Sequence, residues 1–151
     1  MKRILVGLDG SPREREVLLT AQELAERYGA ELTLFRAVGL PAEMPPEAYV
    51  HPEVSLLELL QGKAAAALEA WAGTIAEPLR SRVRLKLSVA NPWRGVCAAA
   101  IEEKVDLIVV GSHGYGGLDH VLGTNAARIV NHAQCSVLVV RSSAPSAASE
   151  P

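Results

Sequence analysis

Five short apolar runs, set between segments of helical periodicity, constrain this chain more than any other feature of it. They are Ile4–Leu8, Glu31–Val38, Arg82–Val89, Asp106–Gly111 and Ser136–Arg141. The first, fourth and fifth are continuously apolar, the pattern of inner strands covered on both faces. The third alternates, with Val83, Leu85, Leu87 and Val89 set against Arg82, Arg84, Lys86 and Ser88. That predicts an edge strand with one wet face, its cations discouraging edge pairing. Helical spacing fills the intervals. Val17, Ala21, Leu24 and Tyr28 share one face between Ser11 and Tyr28, with Ser11 as N-cap, Pro12 at the first helical position and Gly29 as the stop. A longer helix is expected from Glu53 to Glu77, with Leu57, Leu60, Ala64, Leu68, Trp71 and Ile75 on one side. A short helix follows Asn91-Pro92. The last runs from Gly123 to His132 with Leu122, Ala126, Ile129 and Val130 apolar. Strand–helix alternation ending in a strand calls for an α/β fold: an open five-stranded parallel sheet, helices on both faces, joined by right-handed crossovers.

Length and charge narrow the function classes. The chain has 151 residues and a formal net charge of −2, with both signs mixed along it. One domain over residues 1–141 is expected, followed by a small, polar, disordered tail at 142–151. The absence of a basic face argues against nucleic acid as a partner. No apolar run is long enough to span a bilayer, which argues against the membrane. The N-terminal apolar run, about five residues, is shorter than a signal-peptide core. Two cysteines, Cys97 and Cys135, make neither a disulfide framework nor a metal site and read as small core residues. A reducing, cytoplasmic setting is expected. The proline-rich segment from Gly39 to Pro52 reads as a mobile loop over the carboxyl edge of the sheet.

Between the fourth strand and the last helix stand Gly111, Gly114, Gly116, Gly117 and Gly123. Glycines let backbone N–H groups face a ligand with no Cβ in the way. In an open α/β sheet, ligands bind outside the carboxyl ends of the strands, where the strand order reverses. The N-terminus of the last helix adds Thr124 and a partial positive charge, so the stretch reads as an anion site, with phosphate the usual anion. The bland alternative is a mobile loop ending in a helix cap. The stretch is not a P-loop, since Gly117 stands where the lysine belongs. It is not the dinucleotide fingerprint, since it follows the fourth strand. His113, with Ser112, Asp119 and His120 nearby, forms no nucleophile elbow, and His113 and His120 lack a third metal ligand at a telling spacing. His113 is therefore read as lining the phosphate site or bonding within the loop. His51 and His132 read as surface residues, and Trp71 and Trp93 as packing residues.

The opening MKRILVGLDGS and the closing VDLIVVGSHGYGGLDHVLGTNAARIVNHAQCSVLVVR resemble the universal stress protein family, in its nucleotide-binding branch. That branch carries a glycine, two residues, a glycine, nine residues, then glycine with serine or threonine. Gly111, Gly114 and Gly123-Thr124 fit in kind, with eight residues rather than nine between Gly114 and Gly123. The resemblance implies a Rossmann-like fold of the adenine nucleotide alpha hydrolase type. It implies ATP or a related adenine nucleotide as ligand, with Mg as its companion ion, and slow or no turnover. Residue by residue, it places Gly7, Leu8 and Asp9 near ribose and adenine, and Ala37 against the adenine. Gly111, His113, Gly114, Gly123, Thr124 and Asn125 fall on the phosphates. Asn91-Pro92 matches a loop where relatives often have glycine, one residue and proline; Ala90 replaces that glycine. Asp9 also reads as a plain turn residue ahead of Ser11. The sheet order of the family puts the last strand at an edge. From that follows a homodimer through Val137, Leu138, Val139 and Val140, since an apolar edge needs cover. Two other readings stand beside nucleotide binding: a nucleotide-free dimeric scaffold, and a slow ATPase in which Asp9 positions a metal ion.

Overall fold

A computed structural model describes residues 1–39, 56–112 and 122–141. The expected loop after Gly39, the first residues of the long helix, His51, His113, Gly114, Gly116, Gly117, Asp119, His120 and the tail after Arg141 lie outside the described residues. In chain order the elements are β1 (Arg3–Gly7), α1 (Glu14–Tyr28), β2 (Glu31–Val38), α2 (Leu56–Gly73), a single 3-10 turn (Leu79–Arg82), β3 (Val83–Val89), α3 (Pro92–Glu102), β4 (Leu107–Gly111), α4 (Thr124–His132) and β5 (Ser136–Val140). The five strands form one sheet in the order β3-β2-β1-β4-β5, every neighbouring pair parallel. The α/β fold expected from the strand–helix alternation is the one observed.

Side-chain parity divides the core into two layers. Ile4, Val6, Leu32, Leu34 and Val109 face α1 and α2, meeting Val17, Leu18, Ala21, Ala64 and Leu68. Leu5, Phe35, Ile108 and Val110 face the other way, onto Val96 and Ala99 of α3 and Ile129 of α4. Burial on both faces explains why Ile4–Val6 of β1 and Leu107–Val110 of β4 are unbroken apolar runs. Asp106 fixes the entry to β4. Its carboxylate accepts from the N–H of Lys2 at 2.7 Å and of Arg3 at 2.9 Å. Those bonds, the Lys2 one first, hold it below the usual carboxylate range. Gly29 closes α1 in the left-handed region at φ 63°, as expected of a glycine stop. Asn91 caps α3, its side chain accepting from the Trp93 N–H, with Pro92 inside the first turn.

Several expectations need correction. β5 is continuously apolar yet lies at an edge, and Val137 to Val140 are only half-buried; unbroken apolarity alone does not mark an inner strand. The wet face of β3 is not wet at its centre. Lys86 is half-buried because α3 ends over it, and its ammonium donates to Glu102 and Glu103, bonds that raise its pKa. On the opposite face Val83 and Leu87 join the core, while Leu85 and Val89 stay exposed. The first helix begins at Glu14, not after Ser11, and Arg13 occupies the N-cap without a side-chain bond. Residues 11–13 form a tight turn ahead of it, in which the Ser11 carbonyl accepts from the Glu14 N–H at 3.2 Å and Ser11 Oγ from the Arg13 N–H at 3.4 Å; upstream, Asp9 Oδ1 accepts from the Ser11 N–H at 2.9 Å and Glu14 Oε2 from the Gly10 N–H at 2.8 Å. The long helix ends at Gly73, before Pro78, and Ile75 is buried beyond it. Tyr28 and Val130 are exposed rather than facing the core; on the nine-residue α4 only Ala126 and Ile129 point inward. Cys97 and Cys135 are half-buried against the second layer, not fully inside it, and burial pushes both thiols up.

Candidate functional site

The strand order reverses between β1 and β4, because α1 carries the chain to β2 on one side while β4 lies on the other. A crevice at that reversal is a geometric consequence of the topology. Here it is a cleft of about 210 Å³ at the carboxyl ends of β1, β2 and β4, roofed by α3 and α4. Gly7 and Val110 form the floor, and Phe35 and Ala37 one wall with Pro92 and Val96. Thr124, Asn125, Ala126 and Ile129 form the other wall, with Leu8, Asp9 and Gly111 at the strand ends.

The floor is open because residue 7 is glycine. A Cβ there would stand 3.1 Å from Val110 Cγ1 and 3.5 Å from Val96 Cγ2. Gly95 does the same for the wall. A Cβ on it would lie 3.2 Å from Phe35 Cζ and 3.5 Å from the Ala37 Cβ, so α3 presses directly on β2. The α4 wall is polar where it begins. Gly123 is buried ahead of the helix and, having no side chain, makes no side-chain cap bond to the first-turn N–H groups. A helix N-terminus left in this way presents donors and partial positive charge to whatever enters the cleft. Asp9 is exposed at the mouth. Its Oδ1 is held by Ser11, and Oδ2 takes no bond among the described residues.

Seven expected residues thus meet in one cleft: Gly7, Leu8, Asp9, Ala37, Gly111, Thr124 and Asn125. Gly123 stands next to it, and His113 and Gly114 lie outside the described residues. Sequence reading missed the apolar wall of Phe35, Val96, Val110 and Ile129. A signal existed, since Phe35 lies two positions before Ala37 and so on the same face of β2. It also missed two cations. Arg13 lines a narrow recess of about 10 Å³ that holds Asp9, Ser11 and the buried Ser112 on the α1 side. The guanidinium of Arg36 lies over Gly10, whose φ is 78°.

Comparison with known proteins supports one family throughout. The sequence model of the universal stress protein family matches residues 1–141. Universal stress protein A homolog 1 of Coxiella burnetii is 34% identical over 144 residues, covering 92% of this chain and 95% of its own. The structure of the universal stress protein UspA from Lactobacillus plantarum superposes with a TM-score of 0.74 at 28% identity, covering 93% and 97% of the two chains. Two more distant structures share the fold. A universal stress protein in complex with cAMP is 22% identical, with a TM-score of 0.61 over 93% and 98% of the chains. The Archaeoglobus fulgidus protein in complex with dAMP is 18% identical, with a TM-score of 0.57 over 92% and 97%. Among the described residues no helix is long and apolar enough to cross a membrane. The family match over nearly the whole chain and the shared sheet lead to one conclusion: this chain belongs to the universal stress protein family.

Proposed function

We propose that the cleft binds an adenine nucleotide, ATP in the first place, and that the protein is a regulatory module with slow or no turnover. The observation that carries this is the meeting of Asp9, the Gly7 floor and the N-terminus of α4 in one crevice at the strand reversal. Each part suits one part of the ligand. The apolar slot between Phe35, Ala37 and Val96 suits a flat base. Asp9 Oδ2 is an acceptor for ribose hydroxyls or an exocyclic amine. The first turn of α4 suits phosphate. Magnesium enters as the counter-ion of the triphosphate. Complexes of relatives with cAMP and dAMP support an adenine nucleotide as the ligand class.

Asp9→Ala tests the assignment. It removes a charge-assisted hydrogen bond and is expected to cost about 1.5–3 kcal/mol in ATP affinity. Inorganic triphosphate, with neither ribose nor base, is expected to bind both forms alike. An equal loss for triphosphate in calorimetry contradicts the role given to Asp9.

The proposal includes a homodimer. β5 is an edge strand with Val137, Leu138, Val139 and Val140 half-buried, a surface prone to uncontrolled pairing unless covered. A second copy covers it with two-fold symmetry. Val139→Pro removes a backbone donor from that edge and is expected to shift the species seen by light scattering from dimer to monomer. A wild-type protein that scatters as a monomer at tens of micromolar, about where even weak association registers, contradicts the dimer.

A further inference from the structure

Glu14, the first residue of α1, ties two distant parts of the fold to the mouth of the cleft. Its two carboxylate oxygens meet donors from different elements. Oε2 accepts from the Gly10 N–H at 2.8 Å, and Oε1 accepts from Trp71 Nε1–H on α2 at 2.8 Å. Gly10 is the middle of the turn that aims Asp9. On one side Asp9 lines the cleft; on the other Ser11 donates its N–H to Asp9 Oδ1. At φ 78° Gly10 adopts a conformation that only glycine enters freely, and a Cβ there would collide with Nη2 of Arg36. The turn is held from behind by Glu14. Trp71 in turn is half-buried against the α1–α2 core layer, so it is a fixed anchor rather than a follower.

We propose that Glu14 is the positioning residue of the cleft: it sets the Asp9–Ser11 turn for the ligand and couples that turn to α2 through Trp71. This rests on the reading of the cleft as an adenine-nucleotide site. Glu14 does not line the cleft, so it acts on the ligand through the turn. Its effect falls on the part of the ligand that Asp9 recognises, the nucleoside, and not on the phosphates. The coupling is reciprocal by linkage: a ligand that stiffens the turn also changes the surroundings of the Trp71 indole.

Adenosine and inorganic triphosphate serve as separate probes. The chain has two tryptophans, so Trp93→Phe leaves Trp71 as the sole indole reporter. Adenosine is expected to change Trp71 emission with the same half-saturation that calorimetry gives. Trp71→Phe keeps an aromatic ring but loses the donor, and is expected to weaken adenosine about threefold to tenfold. Glu14→Ala is expected to weaken it by about tenfold or more, and Glu14→Gln, which keeps one carbonyl acceptor, to recover part of the loss. Triphosphate is expected to bind the wild type, Trp71→Phe, Glu14→Ala and Glu14→Gln alike. If the wild type binds adenosine and Glu14→Ala and Trp71→Phe bind it equally well, the positioning role is overturned and the cleft reading stands. An equal loss for triphosphate also overturns the positioning role, since it marks general damage to the site. Failure of the wild type to bind adenosine overturns the positioning role, and the cleft reading is then decided by ATP itself.

Discussion

Gly7→Val is expected to give a folded protein that no longer binds adenine nucleotide. The new Cβ would stand 3.1 Å from Val110 Cγ1 and 3.5 Å from Val96 Cγ2, tighter than ordinary packing on the first of these. The two added methyl groups have only the cleft floor to occupy, where the ligand would lie. Overpacking of this kind costs about 1–3 kcal/mol. For a chain of this size that lowers Tm by about 2–4 °C for each kcal/mol. The loss of binding is the larger effect, because displaced ligand atoms have no alternative seat. A circular-dichroism melt establishes the fold of the variant, and calorimetry its ligand binding. Undiminished ATP affinity in a folded Gly7→Val protein would contradict the placement of the ligand over β1.

Phe35→Ala is expected to be the most destabilising single truncation in the second core layer. Phe35 is 1% exposed and is packed between β2, α3 and the cleft. Removing a buried phenyl ring costs about 3–5 kcal/mol. Gly95 sharpens the expectation. Because it lets α3 approach so closely, the helix has no side chain of its own at that point to fill the space left behind. Urea unfolding measures the cost. A loss under about 1 kcal/mol, the size of an ordinary surface change, would contradict the packing of Phe35 against α3.

The sheet was legible because its evidence is local and repeated. Apolar runs of strand length, separated by helical spacing, admit few arrangements, and β1, β2 and β4 fall where the runs lie. The helix signals with a single physical cause also read correctly: Gly29 as a left-handed stop, and Asn91-Pro92 as cap and first turn. Signals with competing causes did not. Ser11-Pro12 is a sound helix start in isolation, but the Glu14 N–H bonds the Ser11 carbonyl three residues back, so residues 11–13 form a tight turn and the regular helix starts at Glu14. Lys86 alternates as a solvent residue would, but its partners Glu102 and Glu103 lie on another element. No period in β3 reveals them.

The cleft divides in the same way. Gly111 and Thr124 were legible because strand ends and helix starts are marked in the sequence, whereas Gly7 and Asp9 followed from the family resemblance. Phe35, Val96 and Ile129 were missed because apolar residues look alike whether they face a core or a ligand. Which face of the sheet carries the opening depends on how α3 and α4 lie across it. The Glu14–Trp71 bond spans 57 residues, and nothing local announces it.

The central claim is that this cleft takes an adenine nucleotide, and titration calorimetry of the wild-type protein with ATP tests it most directly. One ATP per chain, bound with saturation in the presence of magnesium, is the predicted result. The absence of any saturable binding at ATP concentrations of about 1 mM, weaker than roughly −4 kcal/mol, would contradict it and favour a nucleotide-free dimeric scaffold.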